Sequence, residues 1–403
     1  MHLVIISSKR CWHAPESPTG FTTDGGFPMQ MRGLSELFDR TTVVVPCLPA
    51  DAGAPKTPLV GHNLRVVPMS YPRGRGWRRK LDFPVWLLRN LPTVVREAFR
   101  ADAIHAPIPG DIGSVAMLLA LVARKPLFVR HCGNWLAPST RAEKAWKWLM
   151  ETFGGGRNVM MATGGSDVPP SPRNPAVRWI FSTSLTREQL VSCAAGRRKP
   201  PGESPRLIIT CRQERLKGTG LIIESLPILA ERFPGIGFDV VGDGTALEAF
   251  RAEARELGVG DRVTFHGNVD HPTVMRLLHG ADLFVFPSTS SEGFPKAVLE
   301  ALASGLPVVT TPVSVLPQLV GTGCGEVLPE ATPQAIARAV ERCLGDAARH
   351  EAMSRRAVET ASAYSLESWR DTIGRALTAA WGPLGRSAAA EGTRGPGALA
   401  ALL

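Results

Sequence analysis

Glu292 and Glu300 stand with seven residues between them inside LFVFPSTSSEGFPKAVLEALASGLPVVTT, the stretch 283–311. The stretch reads as a buried strand, a Ser/Thr-rich loop, a helix over 295–304 stopped by Gly305, and a second buried strand over 307–311. In an open α/β sheet, ligands bind beyond the carboxyl ends of the strands, where a loop meets a helix N-terminus. There the N–H groups of Gly293, Phe294 and Lys296 form an anion cradle. Pro295 fits beside them because the first helical turn does not need its missing N–H. Two carboxylates touching a phosphate would repel it, so they make sense as grips for hydroxyls. Glu300 can accept two hydrogen bonds from a ribose diol and Glu292 from a sugar ring, while the N–H groups face phosphates. The ordinary alternative for either is a solvated helix residue. Ala297, Val298, Leu299, Ala301 and Leu302 make the helix apolar enough to leave Glu300 half buried.

The elements around this stretch alternate. Strands are expected at 206–210, 237–241, 262–266, 283–287 and 307–311, with helices at 220–233, 246–257, 271–279, 295–304, 333–345 and 347–363. Upstream, strands are expected at 2–7, 41–46, 64–69, 103–105 and 126–131, with helices at 29–38, 92–100, 112–123 and 142–153. Residues 13–27 read as a long Pro/Gly-rich loop. Alternation of this kind argues α/β architecture: two Rossmann-like, doubly wound parallel sheets. The expected divisions are a first domain over 1–198 and a second over 203–364, joined by a hinge at AAGRRKPPGESP. An amphipathic helix at 365–381 and a disordered Ala/Gly/Pro/Arg-rich tail at 382–403 follow.

At 403 residues the chain is long enough for two or three cores. Leu3–Ile6 runs straight into Lys9 and Arg10, the wrong order for a secretory signal, and the apolar run 115–123 is about half a membrane span. Seven scattered Cys with no C-x-x-C pair fit reduced thiols in a cytoplasmic protein. Residues 1–200 carry 27 Lys/Arg against 13 Asp/Glu, and the whole chain carries +10, so the cationic charge sits in the first half. Such a surface suits an anionic partner.

E-x7-E followed by ALASGLPVV resembles the signature of retaining GT-B glycosyltransferases of family 4 (glycosyl transferases group 1), over about 206–328. The resemblance implies two Rossmann-like domains facing a central cleft, the last helix crossing back to the first. Residue by residue, IITCRQERLKGTGLIIESL is similar to the family's strand, Arg, Lys-Gly, helix run. It implies that Arg212 and Lys217 neutralise a donor diphosphate, with Cys211 where the family has Gly. The turn at Gly242 and the stretch around Asn268 and Val269 match the nucleoside side. Gly25-Gly26 matches a loop facing the phosphates, glycine allowing close backbone approach. His131 stands where the family places a histidine near the reacting carbon, with Cys132-Gly133-Asn134 after it instead of the usual acidic partner; a structural histidine is the equal alternative.

The implied reaction moves a sugar from a nucleotide-diphosphate sugar to a hydroxyl of a glycan, lipid-linked or other acceptor, with retention, in polysaccharide or glycoconjugate biosynthesis. Glu292 and His131 would be the catalytic pair, and charge on the leaving diphosphate is what must be stabilised. The sequence holds no Asp-x-Asp, so no metal and no cofactor is expected. An epimerase on the same fold and a non-catalytic binding module are the alternatives. Tyr71–Leu88 (YPRGRGWRRKLDFPVWLL) interleaves cations with aromatics, which suits peripheral contact with an anionic membrane on its cytoplasmic face. A solvated acceptor-side loop is the equal reading, and no RNA-binding motif accompanies the charge.

Overall fold

The computed structural model describes residues 1–50, 57–71, 77–138, 140–166, 168–195, 202–290 and 293–385, with the side chains of 77–80 excepted. By packing, the chain divides into a first unit, Met1–Thr163, Val168–Ile180 and Leu366–Leu403, and a second, Gly164–Asp167 and Phe181–Ser365. The change of unit thus comes at 180/181, ahead of the expected 198–203 boundary. The reason is in the packing: Leu185, Leu190 and Cys193 belong to the second unit's core.

In the first unit the strands are β1 (His2–Ile6), β2 (Cys11–His13), β3 (Phe21–Thr23), β4 (Arg40–Leu48), β5 (Thr57–Pro58), β6 (Leu64–Met69), β7 (Ala103–Ile108), β8 (Leu127–His131), β9 (Asn158–Thr163) and β10 (Val177–Ile180). Their order is β10-β9-β8-β7-β1-β4, with β6 also paired to β4, and every one of these pairs is parallel. All five residues of β1 are buried, as in a parallel strand covered by helices on both faces. The expected 13–27 loop instead contributes β3, which pairs antiparallel with β2 and β5 and extends the sheet past β4. The helices are α1 (Phe27–Ser35), α2 (Trp77–Arg100), α3 (Asp111–Val122), α4 (Arg141–Phe153) and the segment Leu366–Trp381. The last packs on α1 and β9, with Arg370 paired to Glu36. Of the expected tail, residues 382–385 are described, and Leu384 is buried beside the Met1 amino group, which donates to its carbonyl at 2.8 Å. Residues 386–403 lie outside the described residues.

The second unit holds β11 (Arg206–Thr210), β12 (Gly237–Val241), β13 (Val263–Gly267), β14 (Leu283–Phe286), β15 (Val308–Thr310) and β16 (Gly325–Val327), in the order β13-β12-β11-β14-β15-β16 and all parallel. Its helices are α5 (Arg187–Ala195), α6 (Thr219–Arg232), α7 (Leu247–Glu256), α8 (His271–Gly280), α9 (Lys296–Ala303), α10 (Leu316–Val320), α11 (Pro333–Leu344) and α12 (Ala347–Ser362). Leu207–Ile209 and Leu283–Phe286 are apolar at consecutive positions because both faces of the sheet are covered, and in FDVV the one charge, Asp239, is answered by Arg206. The strand order reverses between β11 and β14, and a crevice opens at that switch point in such folds. Among the described residues no helix is long and apolar enough to cross a membrane.

Candidate donor site at the β11/β14 switch point

The loops leaving β11 and β12 are tied together from below. Gln213 is fully buried, and its Nε2 donates to the carbonyls of Cys211 and Val241, each at 3.1 Å. Its Oε1 accepts from Thr219 Oγ1 at 2.7 Å, which ties the start of α6 to the same knot. Gly242 takes φ +112°, and a Cβ there would stand 2.0 Å from the Cys211 carbonyl oxygen. Only glycine lets the two loops approach so closely.

This scaffold floors two adjoining cavities. One, of about 480 Å³, is lined by Arg212, Gly242, Asn268, Val269, His271 and Glu300, among others. The other, of about 400 Å³, is lined by Arg212, Glu214, Lys217, Ser290, Phe294 and Lys296, among others. Thr210, Cys211, Arg212 and Ala297 line both, so the two are compartments of one crevice. Each falls in the size range of small-ligand pockets. Thr210 Oγ1 is buried there without a hydrogen-bond partner among the described residues.

The Arg212 side chain is 76% exposed and meets Glu214 at 3.4 Å, a surface pair too weak to hold it away from an incoming anion. The helix expected to begin at Pro295 begins one residue later. Pro295 is the N-cap of α9, and its carbonyl accepts from Val298 and Leu299, so the N-terminal edge still faces the second cavity. Phe294 contributes backbone to that edge while its ring packs inward against Phe181 and Tyr364, with centroids at 6.2 and 5.5 Å. The Gly293 carbonyl accepts from Ser314 Oγ at 3.4 Å. Glu292, with Ser291, lies outside the described residues.

Glu300 projects from α9 with its side chain 16% exposed and meets His271 Nε2 at 3.1 Å. That hydrogen bond raises the His271 pKa above its ordinary value, burial opposing it. The Asp270 carboxylate caps α8 by accepting from Thr273 N–H at 3.0 Å, which fixes His271 in the first turn. Sequence reasoning missed His271 and Gln213. A helix was expected at 271–279, but the meeting of His271 with Glu300, 29 residues away, is made by the sheet.

Two expected residues belong to the first unit. His131 ends β8, buried, edge-on to Trp135 at 5.4 Å. Burial lowers its pKa, with the Gly133 backbone and the Glu143 carboxylate acting the other way. Gly26 is the residue on which α1 starts.

The family model for glycosyl transferases group 1 matches residues 196–360. A glycogen synthase of Mycobacterium tuberculosis is 33% identical over 148 residues, 37% of this chain and 32% of the relative. A GDP-mannose-dependent alpha-(1-6)-phosphatidylinositol monomannoside mannosyltransferase of the same organism is 31% identical over 184 residues, 44% of this chain and 47% of the relative. The chain thus spans between 32% and 47% of the length of these relatives. Among solved structures, Anabaena HepE in complex with UDP and glucose has TM-score 0.65 at 18% identity, covering 94% of this chain and 99% of that one. A sucrose-phosphate synthase from Thermosynechococcus elongatus has TM-score 0.65 at 16% identity, covering 93% and 98%. The chain therefore has the GT-B fold, and its residues 196–360 match the family model for glycosyl transferases group 1.

Proposed function

We propose that this chain is a retaining, hexosyltransferase-type glycosyltransferase that moves a sugar from a nucleotide-diphosphate sugar to a hydroxyl of a glycan or lipid-linked acceptor. Its setting would be polysaccharide or glycoconjugate biosynthesis on the cytoplasmic side. The observation that carries the reading is the two-compartment crevice at the β11/β14 switch point, with Glu300 and Asp243 lining one compartment and Arg212, Lys217 and Lys296, beside Glu214 and a helix N-terminus, lining the other. The nucleoside occupies the first: Glu300 accepts from the ribose diol, while Gly242, Asn268 and Val269 line the base. The diphosphate occupies the second, where Arg212, Lys217, Lys296 and the N–H groups from Gly293 onward offset the charge that grows as the glycosidic bond breaks. Glu292 orients the sugar ring, and His131 is the residue given to the reacting carbon, with Gly26 on the phosphate side. The absence of an Asp-x-Asp pair from the sequence supports a reaction that needs no metal.

The test is turnover with a panel of uridine and guanosine diphosphate sugars, read as nucleoside diphosphate release, with the product's anomeric configuration assigned by NMR. Release that survives EDTA and a product that keeps the donor's configuration support the proposal. An inverted product, or an epimerised donor with no acceptor modified, sinks it.

A further inference from the structure

Three successive turns of α2 show apolar side chains to solvent: Leu81, Val85 and Leu88 are 67%, 66% and 73% exposed. Their spacings of four and three residues place them in one line along the helix, and exposed Pro84 lies in the same line. The opposite face is firmly seated. Phe83 and Trp86 stack at 5.5 Å, Trp86 is buried with its Nε1 donating to the Ser70 carbonyl, and Asn90 donates to Ser70 Oγ and the Trp86 carbonyl, both at 2.8 Å. Of the aromatics expected to face a membrane from 71–88, Trp86 is thus buried and Phe83 half-buried against the same core, and it is the aliphatic line that faces out. Residues 72–76 of that stretch lie outside the described residues.

The charge of the helix says what covers this line. By sequence α2 carries six Lys/Arg and two Asp/Glu. One of the two acids, Glu97, is buried and answered by Arg65, Arg96 and Arg100. Residues 1–200 hold an excess of 14 cations, so two copies meeting on this face would set like charges together. An aliphatic line within a cationic helix matches an anionic lipid surface. Placement agrees as well. β6 and β7, which α2 joins, run parallel in the same sheet, so the helix runs back across it and its first turns lie at the carboxyl edge, where β8 ends in His131.

We propose that α2 docks on an anionic bilayer through Leu81, Val85 and Leu88, bringing the carboxyl edge of the first sheet to a membrane-borne acceptor. The docking stands on α2 and its charge; only the mention of an acceptor rests on the transferase reading.

The full chain is sedimented with vesicles of phosphatidylcholine alone and of phosphatidylcholine with phosphatidylglycerol, at low and high salt. Binding to the anionic vesicles alone, released by salt, is expected. In Leu81→Gln/Val85→Gln/Leu88→Gln partitioning should fall about tenfold or more, with the thermal midpoint and nucleotide binding unchanged. Should the triple variant fold poorly, Leu88→Gln alone must still weaken binding. Phe99→Ser, exposed at the far end of α2, should not. Equal recovery on both vesicles, undiminished binding by the variants, or a wild-type dimer that they dissolve would overturn the proposal. Any of these with diphosphate release intact would leave the transferase reading standing.

Discussion

Glu300 enters its cavity with one oxygen already engaged by His271, so a diol arriving there meets a carboxylate held in place. Glu300→Ala removes a charged acceptor, and nucleotide affinity should fall about tenfold to a hundredfold by calorimetry. Glu292→Ala should instead lower turnover more than affinity; equal behaviour of the two variants in both assays would show that the roles are misassigned. The pair also has a pH signature. The folded pKa of His271 lies above the ordinary histidine value, so the stability it contributes is full below that ordinary value and is lost as pH climbs through the raised one. The gap in thermal midpoint between wild type and His271→Asn should therefore narrow as pH rises, and a gap constant with pH would contradict the hydrogen bond. His105 runs opposite. Burial pushes its pKa down to about 3, so it stays neutral in the fold and its contribution is lost as pH falls below 6.5, where the unfolded chain takes up the proton.

The elements show what a sequence can and cannot display. β11 and β12 fall on the expected residues because LIIT and FDVV are short, mainly apolar runs between breakers, and the E-x7-E segment was readable for the same reason. β9 and β10 were missed: NVMMAT is rich in Met and follows three glycines, and VRWI is four residues after a Pro/Ser stretch. The start of α2 was missed because Pro84 and Pro92 read as breaks, yet both lie inside the helix, held by the buried face of Trp86, Asn90, Val94 and Ala98. What tied the site together was the least visible. Gln213 bridges three groups from loops that sequence separates, so Gln213→Leu should cost about 2–4 kcal/mol in denaturant unfolding. It should also weaken nucleotide binding, since Arg212 rides on the same loop. A change within about 0.5 kcal/mol would show that the knot is dispensable.

For the whole molecule, the parallel sheets followed from alternation, and the crevice from a strand order that no local pattern reveals. The proposed nucleoside diphosphate fills the two compartments beside Arg212, Lys217 and Glu300. Calorimetric titration of UDP and GDP into the wild type and into Arg212→Ala and Glu300→Ala tests this directly. At least one nucleotide should bind the wild type at a single site, and each variant should lose about tenfold or more in affinity. Wild-type chain that takes up neither nucleotide, or variants that bind as tightly as wild type, would contradict it.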